Sequence, residues 1–159
     1  MTYNETRSLM EEKNNAHISR HEAREYVFAL LFANAFNSEE DADSFYKKEL
    51  ENAEIEFGDQ IDYVHDVFFG IADRRSEIDE MISASAQGWS INRLTKATVS
   101  VMRLCIYEMM AVNDVPKRAA LNEAVELAKK YCEDNAPAYI NGVLNTISHQ
   151  LPDRECDAD

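Results

Sequence analysis

The stretch from Ala119 to Ile147, AALNEAVELAKKYCEDNAPAYINGVLNTI, decides the fold, because it reads as two complete helices with the punctuation between them. Leu121, Ala124, Val125, Ala128, Tyr131 and Cys132 recur at steps of three and four, which places them on one face of a helix. Glu123, Glu126, Lys129 and Lys130 fall mainly on the other face, with Glu126 and Lys130 a favourable pair one turn apart. The polar run Glu133, Asp134, Asn135 interrupts that helix, and Pro137, whose missing donor is tolerated only in a first turn, opens the next. Tyr139, Ile140, Val143, Leu144 and Ile147 form its apolar stripe. Gly142 weakens this helix by roughly 1 kcal/mol relative to Ala. The expected compensation is a close helix crossing, at which Gly142→Leu would overpack by roughly 1 to 3 kcal/mol.

Working outward, the same periodicity covers most of the chain. From Ile18 to about Phe36 the pattern is helical, with Ala23, Val27, Leu30, Leu31 and Asn34 on one face. Ser38 followed by Glu39, Glu40 and Asp41 reads as an N-cap opening an acidic, solvated helical segment that runs to Gly58. Ile61, Val64, Val67, Phe68 and Ile71 predict another helix, and Ile78, Met81 and Ile82 a shorter one ended by Gly88. After a turn at Trp89 in which Ser90 caps, Lys96 to Val112 is apolar nearly all round, so this helix is expected to be surrounded by others. No alternating strand pattern or hairpin signal competes. The fold class is all-α, with about six or seven helices. Residues 1–17 read as a flexible segment, 18–150 as one helical domain, and 151–159 as a loose acidic tail.

A chain of 159 residues suffices for one self-supporting domain. Its three cysteines, Cys105, Cys132 and Cys156, are odd in number, widely spaced and without a CxxC pair, which points to a reducing compartment. The start MTYNETRSLMEEKNN has no apolar core, and no run reaches a membrane-spanning length. The cytoplasm is the expected location. The net charge of −14 opposes generic nucleic-acid binding, yet the charge is uneven. From Ser38 to Asp62 ten acids stand against two lysines, whereas from Ile91 to Tyr131 seven bases meet four acids.

Catalysis has no visible seat: there is no Gly-rich phosphate loop, GxSxG or Cys/His arrangement, and no cofactor is implied. His65-Asp66 is a doublet found in helical metal phosphohydrolases, and His17 with His21 at i, i+4 could hold zinc. Each set lacks the further ligands a site needs, and a solvated helix explains both. A third set combines charge with rings: His17, Arg20, His21 and Arg24 lead into Phe28 and Phe32, and cation plus aromatic face is how single-stranded RNA is held. Two of those four positions are histidines, where fixed cations would be arginines.

The run from Ser19 to Leu31, SRHEAREYVFALL, with Arg20, Ala23, Arg24 and Glu25, resembles the opening of the bacterial transcription antitermination NusB family. The resemblance continues through VMRLCIYEM (Val101 to Met109), Asp114-Val115-Pro116, LNEAVELAK (Leu121 to Lys129) and YINGVL (Tyr139 to Leu144), and is least over 38–59. It implies seven helices in two packed subdomains, and a factor that binds boxA-type RNA of ribosomal RNA leaders with NusE, a ribosomal protein, to keep RNA polymerase elongating. Carried over by position, Arg20, His21, Arg24, Phe32, Asn135 and Tyr139 become the RNA-binding residues, and Tyr107 with Glu108 the NusE side. Two departures stand out: His21 and Glu22 where the family tends to arginine, and Phe32 where a tyrosine is common. With the acidic charge, they leave a second reading open, an interaction module of the same fold with weak or no RNA binding.

Overall fold

A computed structural model of the chain describes residues 18–37, 39–86 and 91–158. Expectations resting on 1–17, including His17, and on Ser38, Gly88, Trp89 and Ser90 lie outside the described residues. Seven α-helices follow in order among those described: α1 (Arg20–Ala35), α2 (Ala42–Ala53), α3 (Ile61–Asp73), α4 (Arg75–Ser85), α5 (Lys96–Ala111), α6 (Lys117–Tyr131) and α7 (Ala136–Gln150). No strand occurs among these residues.

Local chemistry sets the helix starts. Ser19 Oγ accepts the Glu22 amide at 3.1 Å and Thr95 Oγ1 accepts that of Thr98 at 3.1 Å, each satisfying a donor that the first turn leaves open. Pro137 stands in the first turn of α7. The cap of α2 is Asp41, whose Oδ1 takes the Ser44 amide at 2.9 Å, three positions beyond the serine expected in that role. Nor is α2 wholly solvated: it buries Phe45, which stacks 6.0 Å from Phe68 of α3.

The apolar helix α5 is the axis of the bundle. Val101, Met102, Leu104, Cys105, Ile106 and Met109 are all buried. The helix packs against α1 and α3, with α2 laid on α1, and against α4, α6 and α7, while α1 also meets α6 through Phe28 and Tyr131. These are the two packed helical subdomains, and α5 belongs to both.

Two expectations need correction. Gly142 is not at a crossing, since a Cβ placed there meets nothing within 4 Å. At 3.6 residues per turn Gly142 points about 160° away from both Ile140 and Leu144, so it faces solvent although its neighbours are core. Gly142→Ala is therefore expected to raise stability by about 0.5–1 kcal/mol through propensity alone, read as a higher urea midpoint at unchanged slope. The close approach occurs instead at Gly70, where a Cβ would overlap the Tyr107 ring, with Cε2 at 2.6 Å. The second correction concerns the tail, which is tied down. Arg154 Nη1 donates to the carbonyls of Glu108 (3.1 Å) and Val112 (2.8 Å), and Nη2 to that of Val115 (2.6 Å). Asp157 Oδ1 accepts the Lys117 amide at 2.7 Å, filling the open first turn of α6.

Candidate nucleic-acid interface

Residues 20, 24, 28, 32 and 36 form one row along α1, and a row of i, i+4 positions drifts by about 40° per step around a helix. The drift sorts them by burial. Arg24 (5% exposed) and Phe28 (3%) lie under neighbouring helices, while Phe32 (37%) and Phe36 (61%) emerge at the C-terminal end.

The cations at the N-terminal end all meet carboxylates. Arg20 Nε donates to Gln60 Oε1 at 2.7 Å, its Nη1 pairs with Asp114 Oδ1 at 3.3 Å, and its guanidinium lies 4.2 Å from the Tyr63 ring centre. His21 Nδ1 is 2.7 Å from Glu123 Oε2. Arg24 makes a two-pronged contact with Glu108, Nε to Oε1 at 2.7 Å and Nη2 to Oε2 at 2.9 Å, with Glu123 Oε1 a further 3.5 Å from Nη1. Burial opposes the Arg24 charge, but hydrogen bonding and attraction to Glu108 more than offset it and raise its pKa above the ordinary arginine value. Arg24 is thus a buried tie between α1 and α5 and offers no open charge to a phosphate. Glu108, expected on the partner side, is its mate and is fully enclosed.

The rings at the other end form a ladder. Phe28 stacks on Tyr131 of α6 with centroids 4.9 Å apart, Phe32 lies 6.1 Å from Phe28, and Phe36 meets Phe32 edge-on at 5.1 Å. Tyr131, expected in the α6 core face, is instead exposed, because the buried face centres on Ala120, Ala124, Leu127 and Ala128. Its hydroxyl bonds to Glu25, which Lys130 Nζ also reaches at 2.6 Å. Burial works to raise the Glu25 carboxyl, yet those two partners hold it below the usual range. Lysines flank the ladder, with Lys96 Nζ 5.2 Å from the Phe36 ring centre and Lys130 Nζ 5.3 Å from that of Tyr131.

Asn135 caps the start of α7 and Tyr139 lies within its first turns, four and eight residues beyond Tyr131 in the chain. Asn135 is exposed, and its side chain makes no cap bond. Tyr139 is half-buried, with its hydroxyl enclosed and without a hydrogen-bond partner among the described residues. Tyr107 lies away from the ladder, in an open cleft of about 620 Å³ between α3 and α5 lined by Asp59, Asp62, Asp66 and Asp73, and Arg20 lines the same cleft. His65 sits at that cleft, bonded to Asp66 at 3.0 Å. Among the described residues no three His, Cys, Asp or Glu side chains are grouped to hold a metal.

The profile of the NusB family matches residues 21–149. The chain belongs to the NusB family. It is similar to the transcription antitermination protein NusB of Clostridium novyi (strain NT), 37% identical over 131 residues that make up 82% of this chain and 98% of the relative. The protein of the same name from Clostridium botulinum (strain Kyoto / Type A2) is 36% identical over 143 residues, 82% and 99% of the two chains. Among solved structures, T. maritima NusB superposes with a TM-score of 0.78 at 30% identity, covering 86% of this chain and 94% of that one. A crystal structure of antitermination factors NusB and NusE in complex with dsRNA gives 0.73 at 25% identity, covering 82% and 96%. The function is accordingly transcription antitermination. In this NusB-family chain the match spans α1 to α7 and stops before Arg154 and Asp157. Phe36, Lys96 and Tyr131, which the sequence reading left out of this surface, lie on the ladder, and for Phe36 the signal was the repetition of Phe at 28, 32 and 36.

Proposed function

We propose that the emergent end of α1, with Phe32 at its centre and Asn135 and Tyr139 alongside, holds boxA-type single-stranded RNA, and that the chain joins NusE and the RNA polymerase elongation complex to keep polymerase elongating on ribosomal RNA operons. The observation that carries this reading is the Phe28–Phe32–Phe36 ladder, apolar and progressively exposed, with an ammonium over its outer ring. Stacked bases and backbone phosphates need that pairing. Arg20 and His21 then contact phosphate by exchanging carboxylate partners, while Arg24 acts as a positioning residue that sets α1 on α5. Tyr107 marks the NusE side, where the cleft's four aspartates suit a ribosomal protein whose own rRNA contacts require Lys and Arg. Support for both partners comes from the similar NusB that was crystallised with NusE and dsRNA. The chain works without catalysis, in the cytoplasm where transcription proceeds.

A second reading rests on the carboxylates at Arg20, His21 and Arg24, which leave a module that docks NusE but holds RNA poorly. Fluorescence anisotropy with a boxA-type RNA decides between them. Phe32→Ala is expected to weaken binding about 5- to 150-fold, the range for one lost base–aromatic stack. Saturating NusE is expected to tighten the wild type, because linked contacts share one ordering cost. No measurable RNA binding with or without NusE would establish the second reading.

A further inference from the structure

We propose that Phe36 and Lys96 form an additional nucleotide position beyond Phe32, in which one base of the single-stranded RNA stacks on the Phe36 ring and the adjoining phosphate pairs with the Lys96 ammonium. The inference rests on the RNA-binding reading above and deepens it, giving Phe36 and the Lys96 ammonium over it a nucleotide of their own. Phe36 is the most exposed large hydrophobic side chain among the described residues, and it joins Phe32, the next ring inward, rather than standing alone. A contiguous exposed apolar patch on a folded chain marks an interaction surface. Lys96 differs from the other cations of this face. His21 has Glu123, Arg24 has Glu108, Lys129 has Glu126 and Lys130 has Glu25, whereas Lys96 has no carboxylate partner among the described residues and lies over the Phe36 ring.

Such a contact is weak at an exposed site, so an arriving base displaces the ammonium from the ring face and leaves it beside the phosphate. The ring-to-ring step of 5.1 Å lets one strand address Phe32 and Phe36 in succession. Charge favours RNA over a second copy of the chain. An isologous contact through this patch would bring two Lys96 and two Lys130 side chains together and still supply Lys96 with no carboxylate.

The test uses the full chain and boxA-type single-stranded RNAs carrying one 2-aminopurine at successive positions. Wild type is expected to quench 2-aminopurine at one position adjacent to the Phe32-dependent one. Phe36→Ala should lose that quench and weaken binding by about tenfold, while Phe36→Tyr retains both. Lys96→Gln should make the salt slope shallower by about 0.7 and leave the quench. Removing the end nucleotide from the RNA should make wild type and Phe36→Ala bind alike. Equal binding and equal quench for wild type and Phe36→Ala would overturn this position and leave the Phe32 site intact. Absence of RNA binding by wild type would instead overturn the underlying reading and this position with it. A concentration-dependent dimer in sedimentation that Phe36→Ala abolishes, at unchanged RNA affinity, would assign the patch to a second copy and overturn the proposal.

Discussion

Glu108→Ala is expected to lower the unfolding free energy by about 3–5 kcal/mol, the cost of leaving a buried ion without its partner. The Arg24 guanidinium is almost completely covered and directs two of its donors to Glu108 at 2.7 and 2.9 Å. Removing the carboxylate takes away both hydrogen-bonded acceptors of a charge held between α1 and α5, and leaves it only the longer 3.5 Å contact of Nη1 with Glu123 Oε1. Folded domains are stable by only about 5–15 kcal/mol, so this loss is a large share of the total. Glu108→Gln, which keeps one acceptor and the shape, should fall between the two states. Replacing both partners together, Arg24→Met with Glu108→Leu, should destabilise less than Glu108→Ala alone, because no uncompensated charge remains. The measurement is urea unfolding followed by circular dichroism. A loss below about 1 kcal/mol for Glu108→Ala would show that the guanidinium reaches solvent and that the tie does not hold α1 in place.

Arg154→Ala should produce the second large loss, about 2–3 kcal/mol. Its guanidinium serves the carbonyls of Glu108, Val112 and Val115, where α5 ends and the turn into α6 follows; the first two also accept a backbone amide, from Val112 and Val115. A charged hydrogen bond contributes about 1.5–3 kcal/mol, and three bonds made by one side chain do not add in full. The same clasp carries a pH response. Burial favours the protonated Asp157 carboxyl, but the backbone amides of Lys117 and Arg154 and the Arg154 side chain together hold its pKa below the usual aspartate value. A folded pKa below the unfolded one gives stability that is present above the unfolded value, near about 4, and is lost as pH falls through the folded value. Acid should therefore release the tail, and Asp157→Asn should flatten stability between pH 5 and 3 relative to wild type. Amide exchange at Lys117 reads the docking directly. Random-coil exchange at that amide at pH 7 would show the tail to be undocked.

The helices and their order were legible because they depend on neighbours within one turn. Ser19 and Thr95 cap, Pro137 opens α7, and the run from Ala97 to Val112, apolar nearly all round, reads as an enclosed helix. The exposure of the expected RNA-binding residues was half legible. Phe32 emerges where the row on α1 turns away from the core, but the charges of Arg20, His21 and Arg24 look the same in a sequence whether water or a carboxylate faces them. Asp114, Glu123 and Glu108 lie 94, 102 and 84 residues away along the chain, and no local pattern points to them.

Gly142 and Gly70 show the same division. Both sit inside helices among apolar neighbours, and only the position of Tyr107 on another helix distinguishes the glycine that must be small from the one that faces water. The acidic composition of the tail suggested a loose end, whereas Arg154 and Asp157 fasten it to carbonyl and amide groups exposed by the ends of α5 and α6. By itself the sequence determined the all-helical class, the family and the aromatic row of α1, since periodicity, caps and motifs are local. The tertiary structure alone decided which charges are buried, which glycine is required and where the rings become exposed, because burial is set by residues that folding brings together from distant parts of the chain.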